Sequence, residues 1–261
     1  MVSKIKDFEF QTQCVDYLID KTIETDSKQV ITVKAPTGAG KTVILIKYVD
    51  QFLKNTGNNT AFIWLCPGKG NLEEQSKERM EELAPHLDTR NLMYSMMAGF
   101  EAGSITFINW ELVTKKGNTA LKDSERSNLF EKIAEAHKDG VEFVIIIDEE
   151  HLNNTKKADD VINAFAAKNI IRVSATANKV PHQEFYEISE DDVIGAGLIT
   201  RAIYVNEGVD EKKEIQNDYE YLLDLADEKR KEIAANYENI KVNVRPVSYT
   251  HLRAHETGRN L

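Results

Sequence analysis

Residues 35–42 of the 261-residue chain read Ala-Pro-Thr-Gly-Ala-Gly-Lys-Thr, and this stretch is the strongest structural signal in the sequence. The preceding residues 29–34 (QVITVK) are mostly β-branched and apolar, which is typical of a buried strand. Residues 42–53 carry apolar side chains at helical spacing. A strand, a glycine-rich turn and a helix in this order form the context of a phosphate-binding loop. The sequence therefore predicts an α/β nucleotide-binding domain.

The residue types in this stretch suit a polyphosphate. Gly38 and Gly40 allow the backbone to curl around an anion with its N–H groups turned inward, and the helix N-terminus adds a partial positive charge. Lys41 is expected to reach the β- and γ-phosphates, and the hydroxyl of Thr42 to ligate Mg²⁺. Position 35 is Ala, where the general pattern has Gly. The residues predicted to hold ATP here are Thr37, Gly38, Ala39, Gly40, Lys41 and Thr42.

A second signal lies at residues 141–148 (VEFVIIID), where four consecutive aliphatic residues end in acids. Such a run fits a parallel strand buried on both faces, and ligands bind at the carboxyl ends of these strands. We expect Asp148 to hold the Mg²⁺ shell and Glu149 to orient and deprotonate the attacking water, with Lys41 as the third catalytic residue. A strand that merely ends in an acidic turn is the alternative. His151 completes an Asp-Glu-Glu-His box and is expected to couple the ATP site to the next motif.

The next motif is Ser-Ala-Thr at residues 174–176, at the end of a predicted strand over 169–176. The hydroxyls of Ser174 and Thr176 could hydrogen-bond the acidic box and relay its state. The tripeptide means little alone. Its significance comes from the order of phosphate loop, acidic box and Ser-Ala-Thr, each at a strand end.

Composition narrows the function classes. The formal net charge of −10 and the pI of about 5.2 argue against a dedicated nucleic-acid coat protein, but they are compatible with a motor whose contact surface is local. Cys14 and Cys66 lie in apolar segments and are predicted to be buried free thiols. No run of 18 apolar residues occurs, and the first residues lack a signal-peptide core, so we expect a soluble cytoplasmic protein that contacts no membrane.

With these motifs placed, residues 5–245 resemble the N-terminal motor domain of the restriction (Res) subunit of type III restriction–modification enzymes. Segments 62–70 (FIWLCPGKG), 107–111 (FINWE) and 196–200 (AGLIT) favour this family over a generic superfamily-two helicase. The resemblance implies a RecA-like three-layer α/β/α sandwich with a mostly parallel central sheet, followed by a long linker helix. It also implies ATP and Mg²⁺ as cofactors, double-stranded DNA as a partner, and assembly with a DNA-modification (methyltransferase) subunit.

The resemblance adds further site residues. Residues 8–18 look like the start of an amphipathic helix similar to the glutamine motif of this helicase class, which makes Gln11 a candidate ATP selector, because an amide can both donate to and accept from an adenine edge. The alternative is a surface glutamine. Pro67 and Gly68, after a predicted strand over 60–66, and Asn109, at the end of a predicted strand over 105–109, are candidates for nucleic-acid contact. An ordinary βα turn is the alternative at 67–68.

The domain organisation is predicted as an ATP-binding domain over 1–208 and a linker helix within 209–246. Residues 188–198 are interpreted as an acidic loop, 199–205 as a sixth strand and 211–240 as a long charged helix. In the family a second motor domain and a nuclease follow, so we expect no DNA cleavage and weak ATP turnover from these residues alone. Residues 247–261 break the acidic character of the chain and are interpreted as a non-native tail.

Three hypotheses about the function remain open. The first is the motor domain of a type III restriction subunit. The second is part of a stand-alone DEAD/DEAH-like DNA or RNA helicase, which predicts a second motor domain without a nuclease. The third is a non-catalytic ATP-binding module. A small-molecule kinase fits poorly, because its phosphate loop is not usually paired with the acidic box and Ser-Ala-Thr.

Overall fold

A computed structural model describes residues 7–23, 27–56, 59–67, 71–109, 123–148, 161–201 and 218–239. Its helices are α1 (Glu9–Ile23), α2 (Lys41–Asn55), α3 (Leu72–Leu83), α4 (Leu92–Ala98), α5 (Asp123–Lys138), α6 (Glu190–Gly195) and α7 (Asp218–Asn239). Its strands are β1 (Gln29–Lys34), β2 (Thr60–Cys66), β3 (Asp88–Asn91), β4 (Ser104–Asn109), β5 (Glu142–Asp148), β6 (Asn169–Ser174) and β7 (Glu184–Glu187). The strands predicted around the phosphate loop, the acidic box and Ser-Ala-Thr are therefore confirmed as β1, β5 and β6.

The strands form one seven-stranded sheet in the order β3-β4-β2-β5-β6-β1-β7, and every neighbouring pair is parallel. The carboxyl ends of all seven strands therefore meet at one edge of the sheet. The phosphate loop leaves β1 at this edge, and Asp148 and Ser174 end β5 and β6 there.

Helices cover both faces of the sheet. One core cluster joins alternate strand residues such as Trp64 to α1, α2 and α3, where Leu18 and Tyr48 are fully buried. The other cluster joins the intervening strand residues, such as Ile63, to α4 and α5. Because β2 is buried along its whole length, consecutive apolar residues serve both cores. The predicted three-layer α/β/α architecture is confirmed.

The stretch after β7 differs from its prediction. Residues 188–198 were expected to be an acidic loop, yet Glu190–Gly195 forms helix α6. Its three acidic residues occupy the first turn, where they interact favourably with the positive end of the helix dipole, and its Val193 is fully buried. The strand predicted over 199–205 is wrong for residues 199–201, which are not part of a strand; residues 202–205 lie outside the described residues.

The chain divides into two compact units, residues 1–201 and residues 202–261. In the second unit, α7 confirms a long charged helix over Asp218–Asn239. Ion pairs one turn apart lie along it, between Asp227 and both Arg230 and Lys231. The roles of linker helix and non-native tail stay predictions. None of the described helices combines the length and apolar character needed to cross a membrane.

Candidate nucleotide-binding site

The phosphate loop has the backbone conformation that its glycines permit. Gly38 and Gly40 have φ values of +89° and +79°, in the left-handed region that side chains disfavour. The N–H of Ala39 donates to the carbonyl of Pro36 at 3.1 Å, and the N–H of Ile44 donates to the carbonyl of Gly40 at 3.0 Å, which starts α2. The two glycines therefore turn the chain from β1 into the helix within six residues.

The N-terminus of α2 supplies the anion-binding potential of the loop. Its N-cap is Gly40, which has no side-chain oxygen to accept from the N–H groups of the first turn. Lys41 and Thr42 are the first residues of the helix, and both are half-buried. A helix N-terminus without a side-chain cap, an adjacent ammonium and a hydroxyl fits a polyphosphate with its Mg²⁺.

Two other segments close against the loop. A β-carbon added to Gly40 would lie 2.7 Å from Nε2 of Gln11, and one added to Gly38 would lie 2.6 Å from Cγ2 of Ile199. The loop is thus covered by α1 on one side and by the segment after α6 on the other. Sequence reasoning did not identify Ile199 as part of the site. The only signal was the stretch AGLIT, used there for family resemblance alone.

Gln11 is attached to the phosphate loop. It is 3% exposed, so the surface-glutamine alternative is wrong. Its Nε2 donates to the carbonyl of Ala39 at 3.0 Å. Lys47 of α2 donates from Nζ to Oε1 of Gln11 at 3.4 Å and to Oδ1 of Asp7 at 2.7 Å. Selection of adenine by Gln11 stays a prediction.

Asp148 and Ser174 lie at the same edge as the loop. Asp148 pairs in register with Val173 of β6, and Val173 pairs with Val33 of β1. Two strand spacings therefore separate Asp148 from β1, about 10 Å. The carbonyl of Ser174 accepts from the N–H of Ala35 at 3.1 Å, and its Oγ accepts from the N–H of Thr176 at 3.2 Å. The other members of the acidic box, Glu149, Glu150 and His151, lie outside the described residues.

The model of the family described as "Type III restriction enzyme, res subunit" matches residues 4–179. The chain belongs to this family. The match covers the phosphate loop, the acidic box and Ser-Ala-Thr, and it corresponds to the helicase-like N-terminal domain of the restriction subunit.

Comparisons with curated proteins and with solved structures identify no further family. No curated protein sequence matches the chain. Among solved structures, the chain is similar to the Sulfolobus solfataricus SWI2/SNF2 ATPase core in complex with double-stranded DNA, with a TM-score of 0.47 and 17% identity over 67% of this chain and 33% of that one. It is also similar to the UvsW helicase from bacteriophage T4, with a TM-score of 0.44 and 15% identity over 72% of this chain and 65% of that one. The chain therefore spans about a third of the first protein and under two thirds of the second.

Two of the three candidate nucleic-acid residues, Pro67 and Asn109, lie at the same edge of the sheet. Pro67 directly follows β2 and is buried, and Asn109 ends β4 and is half-buried. Cys66 pairs in register with Asn109, so the two strand ends are neighbours. Gly68 lies outside the described residues. DNA contact by Pro67 and Asn109 stays a prediction.

A cavity of about 400 Å³ opens between the start of α1 and α6. Its lining combines the aromatic residues Phe8 and Phe10 with the carboxylates of Asp191 and Asp192. Aromatic faces and acceptor oxygens suit a flat ring that carries an amino group.

Proposed function

We propose that this chain is the ATP-binding motor domain of a type III restriction endonuclease Res subunit, which binds and hydrolyses Mg-ATP and contacts double-stranded DNA. One observation carries the proposal: the left-handed Gly38 and Gly40 open the loop toward the N-terminus of α2 at the sheet edge where Asp148 also ends its strand. The family match is the second support.

In this mechanism the residues of the chain mainly place groups and charges. The loop N–H groups and Lys41 bind the phosphates and balance the charge that develops as the terminal phosphoryl group leaves. Thr42 and Asp148 would hold Mg²⁺, which supplies a Lewis acid to the phosphate oxygens. Glu149 would orient the attacking water and accept its proton.

The cavity between α1 and α6 is the proposed place of the adenine ring. The carboxylates of Asp191 and Asp192 can accept from the exocyclic amine, and Phe8 and Phe10 supply the apolar surface. Gln11, the residue after Phe10, would contribute its remaining amide hydrogen or lone pair.

Coupling and partners complete the proposal. The hydrogen bond between Ala35 and Ser174 supports a route by which Ser174, Thr176 and His151 report the state of the ATP site. Pro67, Gly68 and Asn109 would contact the DNA backbone. A DNA-modification (methyltransferase) subunit would be the protein partner.

The proposal is tested by ATP titration of Lys41→Ala, with Lys54→Ala on the same helix as the control. We expect Lys41→Ala to abolish Mg-ATP binding, since the loop then lacks its ammonium, and Lys54→Ala to bind as the unaltered chain does. In a version with its second motor domain, Glu149→Gln should retain binding and lose turnover. Normal hydrolysis by Glu149→Gln would refute the role of Glu149. An unaltered version of that longer protein that binds but never hydrolyses ATP would favour the non-catalytic module.

A further inference from the structure

Lys47 links the start of the chain to the phosphate loop. It lies in the second turn of α2, and its side chain is 19% exposed. Its ammonium contacts Oδ1 of Asp7 at 2.7 Å and Oε1 of Gln11 at 3.4 Å. The hydrogen bond from Lys47 lowers the pKa of the Asp7 carboxyl below its ordinary value.

The two ends of the Gln11 amide face opposite kinds of partner. Nε2 donates to the carbonyl oxygen of Ala39 at 3.0 Å, while Oε1 accepts from the Lys47 ammonium. A reversed amide would place its oxygen against the Ala39 carbonyl and its NH₂ group against the ammonium, and both contacts would be repulsive. Lys47 therefore favours the one orientation in which Gln11 can bind the loop.

The oriented amide also occupies the space beside Gly40. Nε2 of Gln11 lies 2.7 Å from the position that a β-carbon on Gly40 would take. The carbonyl oxygen of Ala39 thus accepts a hydrogen bond from the Gln11 amide, and Gly40 packs against the same amide. Loss of the Lys47 contact would release the amide from both.

We propose that Lys47 is a positioning residue for the phosphate loop, which acts through Gln11 to hold Ala39 and Gly40 in the conformation that receives phosphates. The inference rests on the proposed function for its consequence in binding, but the contact itself is testable without nucleotide. Because Lys47 acts on the loop, its loss weakens the binding of any polyphosphate, whatever base it carries.

Lys54 provides a matched control on the same helix. Its ammonium pairs with Asp50 at 2.6 Å, an ion pair of the same type, but its side chain is 61% exposed. Lys54→Met therefore removes the same charge and an ion pair to an aspartate without a link to Gln11.

The test compares Lys47→Met, Lys47→Arg and Lys54→Met in the 261-residue chain. In hydrogen–deuterium exchange without nucleotide, we expect Lys47→Met to speed exchange of a peptide covering residues 36–42 by about fivefold, a modest hydrogen-bond effect. Lys54→Met should leave this exchange unchanged. In titrations, Lys47→Met should weaken the binding of inorganic triphosphate about fivefold. It should weaken the binding of ATP by at least that factor, since Gln11 is also the proposed adenine contact. Lys47→Arg should restore both readouts, since a guanidinium can reach the same amide oxygen.

Each other outcome overturns the inference. Unchanged loop exchange in Lys47→Met would show that Lys47 does not hold the loop. Weaker binding of ATP with unchanged binding of triphosphate would show that Lys47 acts on the base instead of the loop. If the unaltered chain binds neither ATP nor triphosphate, the proposed function and the effect of Lys47 on binding are both refuted. The exchange experiment, which uses no nucleotide, would still show whether Lys47 holds the loop.

Discussion

The backbone N–H of Ala35 donates to the carbonyl of Ser174 at 3.1 Å, one residue beyond the last register pair of β1 and β6. The phosphate loop and the Ser-Ala-Thr turn therefore leave the sheet from one hydrogen-bonded pair. The turn is held further by the hydrogen bond from the N–H of Thr176 to Oγ of Ser174. The two turns are thus neighbours, which gives the order of these motifs in the sequence a structural meaning.

The first prediction concerns Ala35, which stands where the general pattern has Gly. Ala35 is fully buried and is not among the described residues with positive φ, so this position does not require glycine. Ala35→Gly should lower the free energy of unfolding by about 1 kcal/mol, through lost burial and backbone entropy. ATP affinity should not change. Urea unfolding and ATP titration measure the two quantities, and a loss of affinity would show that the methyl group shapes the loop.

The second prediction separates backbone strain from contact at Gly40. Gly40 and Gly140 share a φ of +79°, but an added β-carbon meets Gln11 at the first and nothing within 4 Å at the second. Gly140→Ala should cost about 1 kcal/mol of stability from left-handed strain and leave ATP binding intact. Gly40→Ala should also displace the Gln11 amide and weaken ATP binding.

Shortening Gln11 tests whether its amide clashes with a β-carbon at position 40. Gln11→Ala in the Gly40→Ala background removes the atom that lies 2.7 Å from the added β-carbon. The double variant should therefore be more stable than the sum of the two single changes. Strict additivity in urea unfolding would mean that the two side chains do not meet.

The third prediction concerns the segment that covers Gly38. Its φ is +89°, and an added β-carbon would lie 2.6 Å from Cγ2 of Ile199. Gly38→Ala should destabilise the chain more than Gly103→Ala, whose φ is +83° and whose added β-carbon has open space. Ile199→Ala should recover the difference in a double-mutant cycle monitored by thermal unfolding. If Gly38→Ala and Gly103→Ala prove equally costly, Ile199 does not press on the loop.

Two of the elements that sequence reasoning missed are strands whose contacts are polar rather than apolar. Strand β3 reads DTRN and has no apolar alternation. Its buried residue is Arg90, which is 8% exposed and is neutralised by Asp88 and Glu101. Strand β7 reads EFYE, and the hydroxyl of Tyr17 in α1 donates to its Glu184, 167 residues away, at 2.8 Å. No local pattern could predict either strand.

The candidate site also combines features that local sequence patterns predict with contacts that they do not. The positive φ of Gly38 and Gly40 and the position of Asp148 at a strand end followed from local patterns, because glycines and buried strands leave short-range signals. The contacts of Gln11 with Ala39 and of Ile199 with the loop did not. They depend on how α1 and the segment after α6 pack against β1 and α2, and they join residues far apart in the chain.

The last prediction concerns the two cysteines, which are free and fully buried, as the sequence predicted. Burial raises the pKa of the Cys14 thiol from 9.0 to about 12, and burial also raises that of Cys66. The thiolate is the nucleophile, so at pH 8 iodoacetamide should modify neither thiol in the folded chain and both in urea. Rapid modification of the folded chain would show that these segments open.

The same burial makes stability depend on pH in a defined direction. The unfolded chain loses the Cys14 proton near pH 9, and the folded chain keeps it to about pH 12. The stability that this thiol contributes is therefore complete below pH 9 and falls as the pH rises from 9 toward 12. Subtracting the urea-unfolding profile of Cys14→Ala from that of the unaltered chain cancels the other titrating groups. The difference should decline by about 1 kcal/mol per pH unit in that window, and a flat difference would mean that Cys14 ionises equally in both states.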